Sequence, residues 1–380
     1  MFRLLIFAGA AVIILHGLVH LLGFAAYWPL AELAELPYKT TLLNGRIPLG
    51  ASGMRLYSVV WLATAVAFVT AAIGLLSKQS WWLPLLGTAV ILSLLITALD
   101  WNQAWRGAVV SLLILIPLLV LVGLRVQPRP FPPFPEPTQT LTAVPLPPGL
   151  PAPVARYYQT VMGEEAPLVE TAVISGRGQL RIKGVTFPAR FRFTHSAGQS
   201  YRHTIEATFF GYPIMKVNEW YLDGKARLEL PAGVIENEPK IDAAANLSLW
   251  GEAVWLPSIF LTDPRVRWEA IDDTTARLIV PFDSAQGRPS GNGEESFTVT
   301  FDPQTGLLRT LTALRWKEPD SKTKLLWTNE VLGWRPFHGI LLPSPAATTW
   351  ADEGVPWAVW TIEDIAYNVD VSEYIRAEGR

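Results

Sequence analysis

Residues 127–153 read QPRPFPPFPEPTQTLTAVPLPPGLPAP, and this segment separates two parts of the chain that differ in composition. It holds eleven of the 31 prolines. Because proline fixes φ and has no backbone N–H, the segment is predicted to form neither a helix nor a central strand. An extended, polyproline-like linker of about 3.1 Å per residue is expected at 126–155. The sequence therefore predicts two domains joined by a Pro-rich linker.

Residues 1–125 are predicted to form a four-helix transmembrane domain. Four apolar segments, at 4–24, 56–76, 81–99 and 108–124, are each close to the ~20 residues that cross a bilayer as a helix. The whole chain is 50% hydrophobic and only 17% charged, which is too apolar for an ordinary soluble protein of this length. The Lys and Arg residues that flank these segments divide evenly between the two sides, so the positive-inside rule predicts no orientation.

Two histidines, His16 and His20, lie one helical turn apart inside the first apolar segment and share one face. Ionisable residues within a membrane are candidates for function. One hypothesis is a metal or haem site, but two histidines on one helix cannot occupy opposite sides of a haem. The hypothesis that we favour is hydrogen bonding between helices by neutral imidazoles. The candidate partners are Ser58, Thr64, Thr88 and Ser93.

Residues 156–380 are predicted to form a soluble, acidic domain, with 23 Lys and Arg residues against 29 Asp and Glu residues. A nucleic-acid partner is not expected, because phosphate binding requires a basic surface. The chain contains no cysteine, which excludes disulfides and thiolate metal sites. We expect no cofactor and no metal.

Alternating apolar and polar residues predict a β meander in this domain. The alternation is clearest from Phe187 to Phe193, and it recurs often enough for about ten strands. Asp223-Gly224 predicts a two-residue type I′ hairpin, as an antiparallel sheet uses. The Gly- and Ser-rich stretch Ser284–Glu294 is interpreted as a surface loop.

One predicted helix interrupts the strands, starting at Pro239 and ending before Pro257. It is apolar on two faces, which is typical of a helix that is buried on both sides. Glu252 falls on one of these apolar faces. The predicted fold is therefore an all-α four-helix transmembrane bundle followed by an α+β, mainly antiparallel half-barrel with an inserted buried helix.

Four stretches resemble an uncharacterised bacterial family of membrane proteins: HGLVHLLGF (16–24), LPAPVARYY (150–158), GEAVWLPS (251–258) and VRWEAIDD (266–273). The resemblance extends over nearly the whole chain. It implies a four-helix anchor and a conserved domain of unknown function, and it implies no activity. The family pattern usually has alanine where Gly251 stands here. The strands with an inserted helix are also similar to the half-barrels of lipoprotein carriers and related periplasmic lipid-binding modules.

The sequence carries no G-x-S-x-G elbow, phosphate loop, H-E-x-x-H or dinucleotide fingerprint. His195, His203 and His338 are the histidines of the soluble domain, and we interpret His195 and His203 as surface residues. We therefore do not expect an enzyme.

A binding cavity is a stronger hypothesis, since ten tryptophans fall in residues 156–380 and large aromatics line pockets as well as cores. The candidate ligand-binding residues are Trp250, Glu252, Trp255 and Trp268.

Three functions stay open at this point. The first is an integral membrane protein of the bacterial inner or cell membrane whose extracytoplasmic domain binds or transfers an apolar ligand such as a lipid. The second is a structural or partner-docking membrane protein with a fully packed β domain. The third is a carboxylate-dependent hydrolase. The expected partners are the lipid bilayer and an apolar ligand, and the sequence leaves a protein partner open.

Overall fold

The computed structural model describes residues 2–282 and 294–376. The chain divides into two compact units, the first ending at Gly123 and the second starting at Leu124. The loop predicted at Ser284–Glu294 falls, except for Glu294, outside the described residues.

The first unit contains four helices that are long and apolar enough to cross a membrane. They are α1 (Phe2–Tyr27), α2 (Gly50–Leu76), α3 (Trp82–Leu99) and α4 (Trp101–Gly123), and a two-residue pairing of β1 (Thr41–Leu42) with β2 (Ile47–Pro48) lies between α1 and α2. The fourth helix begins seven residues before the predicted apolar segment, because polar residues such as Asn102 and Gln103 extend it at one end. Hydropathy marks the apolar part of a helix and not its ends.

The second unit is built on one antiparallel sheet of thirteen strands, with order β10-β9-β8-β7-β6-β5-β19-β18-β15-β14-β13-β12-β11. The strands of the unit are β3 (Ala143–Pro145), β4 (Glu165–Pro167), β5 (Thr171–Ile182), β6 (Val185–Ser196), β7 (Ser200–Phe209), β8 (Tyr212–Leu222), β9 (Lys225–Leu230), β10 (Gly233–Glu236), β11 (Arg267–Asp272), β12 (Thr275–Pro281), β13 (Glu294–Phe301), β14 (Leu308–Arg315), β15 (Leu325–Val331), β16 (Trp334–Phe337), β17 (Ile340–Pro343), β18 (Ala346–Trp350) and β19 (Pro356–Tyr367). Strands β3 and β4 pair with each other, and so do β16 and β17. The helices are α5 (Ala152–Met162), α6 (Pro239–Glu252), α7 (Ile259–Thr262) and α8 (Ser372–Arg376), and a short 3-10 turn (Ala253–Trp255) continues α6.

Tight hairpins set the register of the first half of the sheet. The two-residue loops Lys183-Gly184, Phe210-Gly211 and Asp223-Gly224 have positive φ at both positions, as a type I′ turn requires. The hairpin predicted at Asp223-Gly224 is thus confirmed, and two more use residues with a weaker sequence signal.

The sheet curves around α6. Leu228 of β9 and Trp327 of β15 line one cavity against this helix, although seven strand spacings separate them in the sheet, which is about 34 Å when a sheet is flat. All residues of α6 from Ile241 to Gly251 are buried. The predicted half-barrel with an inserted buried helix is therefore confirmed.

The Pro-rich segment is part of the second unit and makes contacts within it. The guanidinium groups of Arg190 and Arg192 on β6 stand 4.4 and 5.4 Å from the ring centroid of Phe131. Further along, β3 pairs with β4. The first contact holds the segment against the large sheet, and the second forms a separate two-stranded sheet.

Candidate functional site

A cavity of about 360 Å³ lies between α6 and the concave face of the sheet. Its wall is largely aromatic and aliphatic, and strands β5 to β9, β14, β15, β18 and β19 contribute to it together with α6. Five of the ten tryptophans of this unit line it: Trp255, Trp327, Trp350, Trp357 and Trp360.

Two histidines of the β6–β7 hairpin reach the concave face beside this cavity. Phe193 pairs directly with His203, and His195 pairs with Tyr201. Directly opposed residues point to the same face of a sheet, and so do residues two apart on one strand. All four side chains therefore share the face that packs against α6, and His195 and His203 are 1% and 3% exposed. The interpretation of these two histidines as surface residues is wrong.

Glu252, at the end of α6, meets both histidines. Its Oε2 accepts a hydrogen bond from His203 Nε2 at 2.8 Å. His195 Nε2 lies 3.1 Å from the same oxygen, but its direction does not meet hydrogen-bond geometry, and it has no partner among the described residues. The donor atoms of these three residues all lie within 4.8 Å of one another, so the group has the composition and spacing to hold a metal ion.

The charges of this group are coupled. Burial alone would raise the pKa of Glu252, but His203 and His195 lower that pKa to about 2. Burial alone would lower the pKa of His203, but Glu252 and Glu219 raise it to about 9. Burial lowers the pKa of His195 and outweighs the attraction of Glu252. At neutral pH the metal-free group is a carboxylate beside one imidazolium and one neutral imidazole.

Glu219 on β8 stands behind His203, to which it is directly opposed in the sheet. Its Oε2 is 3.9 Å from His203 Nδ1, and its other oxygen accepts a hydrogen bond from the Tyr201 hydroxyl. The Tyr201 ring in turn stacks on His203 with ring centroids 4.1 Å apart. His203 is thus held between two carboxylates.

Arg315, the last residue of β14, supplies a second cation at the cavity. It donates to Ala244 O at 2.9 Å and to Ser248 Oγ at 2.8 Å, both on α6. Its guanidinium lies 4.7 Å from the ring centroid of Trp327. This side chain therefore fixes α6 to the sheet, and its charge interacts with those of Glu219 and Glu252.

Gly251 stands where the family resemblance predicts alanine, and its neighbours explain why no side chain is present. A Cβ atom there would meet Trp327 Cη2 at 2.9 Å and Cζ3 at 3.0 Å. The Trp327 ring, which also lines the cavity, fills the space that an alanine methyl group would need.

The structure brings together only part of the predicted ligand-binding set. Glu252 and Trp255 line the cavity, and Trp255 is anchored by a hydrogen bond from Nε1 to Pro343 O at 3.0 Å. Trp250 and Trp268 do not line it. Both pack against Phe260, with ring centroids 6.4 and 6.2 Å from it.

Sequence reasoning missed His195, His203 and Arg315. A signal for His195 was present, since it continues the apolar alternation of Phe191 and Phe193 and so belongs on the buried face. Arg315 had no such signal, because only the long-range packing of α6 on β14 brings it to the cavity.

In the first unit, His16 and His20 bond to neighbouring helices. His16 Nε2 is 2.9 Å from Ser111 Oγ on α4, and His20 Nε2 is 2.8 Å from Ser93 Oγ on α3. The two hydroxyls are 2.7 Å apart, which links three helices in one network. The other proposed partners bond to carbonyls of their own helices instead: Ser58, Thr64 and Thr88.

Comparison with solved structures finds chains of low similarity. A DUF1329 family protein from Desulfovibrio piger is 14% identical, with a TM-score of 0.34 over 55% of this chain and 90% of that one. A LolA superfamily protein from Nitrosomonas europaea is 11% identical, with a TM-score of 0.36 over 60% of this chain and 99% of that one. A search of curated protein sequences finds no match.

One family model matches residues 139–362, and it describes a family of unknown function, DUF6544. The match covers more than half of the chain and includes the whole hairpin, helix and cavity described above. The resemblance to an uncharacterised family is thus confirmed, and the chain belongs to the DUF6544 family.

Proposed function

We propose that the second unit binds an apolar chain of an amphipathic ligand, such as a lipid or fatty acid, and that the four apolar helices anchor it at a membrane. The cavity between α6 and the concave sheet is the observation that carries this proposal. A packed β domain would leave no such space. Here five tryptophans surround it instead of filling it.

The size of the cavity favours a single chain. An apolar cavity of about 150 Å³ binds one benzene ring, and this one measures about 360 Å³. That volume accepts one acyl chain or part of one, and not several chains together. Glu252, Arg315 and His203 on the lining favour a ligand that also carries a polar group, since buried charges need polar partners.

Chain length is the direct test. Residues 124–380, once shown by circular dichroism to fold, would be titrated with saturated fatty acids of increasing length. Each methylene group that enters the cavity contributes about 0.8 kcal/mol, so affinity should rise about fourfold per group and then level off. Affinity that does not depend on chain length, or a domain that yields no lipid on extraction, contradicts the proposal.

A cavity-filling substitution gives a matched control. Ala346 lines the cavity, so Ala346→Phe should abolish fatty-acid binding by occupying the space. Ala270 on β11 is exposed, so Ala270→Phe adds the same side chain elsewhere and should leave binding unchanged. Equal effects of the two substitutions would show that binding occurs outside the cavity.

We also place the second unit outside the cytoplasm. This part of the proposal rests on the sequence pattern shared with lipid-binding periplasmic modules. A reporter enzyme that is active only outside the cytoplasm should be active when it is fused after Arg380. If instead only a reporter that requires the cytoplasm is active at this position, the second unit lies in the cytoplasm and this part of the proposal is wrong.

A further inference from the structure

We propose that His195, His203 and Glu252 form a binding site for one divalent transition-metal ion, with Zn²⁺ as the best-suited ion, and that its open position faces the cavity. The site does not depend on the lipid proposal, because its ligands are fixed by the β6–β7 hairpin and by α6.

The donor set is the first argument. Two imidazoles and one carboxylate are a ligand set of catalytic zinc sites, which keep a fourth position for water or substrate. In a tetrahedral site with bonds of about 2.0–2.1 Å, neighbouring donor atoms are about 3.3 Å apart. Here the two nitrogen-to-oxygen separations are 2.8 and 3.1 Å, and every pair is within 4.8 Å. Shifts of at most about 1.5 Å complete the geometry.

The poorly paired nitrogen of His195 is a second argument. A buried polar atom without a hydrogen bond is costly and needs an explanation. His195 is 1% exposed, and its Nε2 lies 3.1 Å from Glu252 Oε2 but makes no hydrogen bond of acceptable geometry among the described residues. A metal ion between the three residues would use this lone pair.

The surroundings fit a bound cation. Glu219 and Glu252 place two carboxylates beside the histidines, and the guanidinium of Arg315 interacts with both carboxylates. Glu219 also stands behind His203 on the side away from Glu252. A carboxylate behind a histidine ligand is the usual support of a zinc ligand.

Access comes from the cavity. Glu252 and His203 line it, whereas His195 does not. A fourth ligand, either water or an oxygen of a bound molecule, would therefore approach from the cavity side.

The test is a titration of the full chain in detergent, stripped of metal with a chelator, with Zn²⁺ alone against a chromophoric competitor. We expect one Zn²⁺ per chain. Glu252→Gln and His195→Gln should each weaken binding by at least about tenfold. His338→Gln is the matched control, since His338 bonds to Ile365 O and lies outside the group, and it should leave the affinity unchanged.

Failure of the titration is unambiguous. No stoichiometric Zn²⁺, or equal affinity in the wild type and in Glu252→Gln, overturns the site, and so does loss of binding in His338→Gln. Should a variant fail to fold, Co²⁺ in the wild-type chain decides: intense visible absorption of a four-coordinate ion supports the site. The weak absorption of a six-coordinate ion overturns it.

Discussion

Glu252 is the most informative residue to change, because one carboxylate oxygen serves two buried histidines. Glu252→Gln keeps the size of the side chain and removes its charge. The neighbouring histidines lower the pKa of Glu252 from 4.5 to about 2, which corresponds to about 3 kcal/mol of stabilisation of the carboxylate at neutral pH. Breaking a buried ion pair from one side costs a similar amount, about 3–5 kcal/mol. We therefore expect the free energy of unfolding to fall by about 3 kcal/mol.

The assay is urea unfolding of residues 124–380 at pH 7 in the presence of a chelator, followed by tryptophan fluorescence. Glu269→Gln is the matched control: Glu269 is 47% exposed, lies 3.5 Å from Arg277, and belongs to a class of surface pairs worth about 0–1 kcal/mol. An equal loss in both variants, or no loss in Glu252→Gln, would refute the ion-pair reasoning. The dependence of the free energy on urea should stay the same, since the surface exposed on unfolding does not change.

Three further predictions concern other parts of the chain. His20→Phe should destabilise the membrane unit by about 1–2 kcal/mol in denaturation by sodium dodecyl sulfate, whereas Thr88→Val should have little effect, because Thr88 bonds only within its own helix. Gly176→Ala should lower the free energy of unfolding by about 1–3 kcal/mol, since its Cβ would lie 2.1 Å from Thr361 O; unchanged stability would show that β5 and β19 separate easily. Asp302 accepts backbone N–H groups that lower its pKa, so its stabilising effect is complete above pH 5 and lost as pH falls below about 4. Acid denaturation should therefore be shallower in Asp302→Asn, and parallel curves for the two proteins would contradict this.

Local sequence signals predict much of the fold. Period-two alternation in β6 and the Asp223-Gly224 turn reflect side-chain burial and backbone conformation, which act over a few residues. The two apolar faces of α6 predict its burial for the same reason. Even Glu252 is visible in the sequence, as a charge on an apolar face.

The partners of Glu252 are not local. His203 precedes it by 49 positions and reaches it only because the sheet curves. Arg315 follows Ser248 by 67 positions and depends on how β14 packs on α6. Curvature is set by the sum of twist and hairpin geometry over many strands, and no single stretch of sequence encodes it. Trp255 lines the cavity and Trp250 does not, a difference that depends on where the curved sheet meets the helix.

Stability alone does not account for the charges at this cavity. Replacing a buried ion network by apolar side chains of similar volume is often neutral or stabilising, and the surrounding wall is already aromatic. Glu219, Glu252, His203 and Arg315 nevertheless lie together on the lining of the cavity. Charged groups kept at the edge of an apolar space are most useful when they contact something that enters it. A bound metal ion and the polar group of an amphipathic ligand would both use the same charges, so Glu252→Gln should weaken both. Ala346→Phe separates the two, because it fills the space for the chain and leaves the three metal ligands in place.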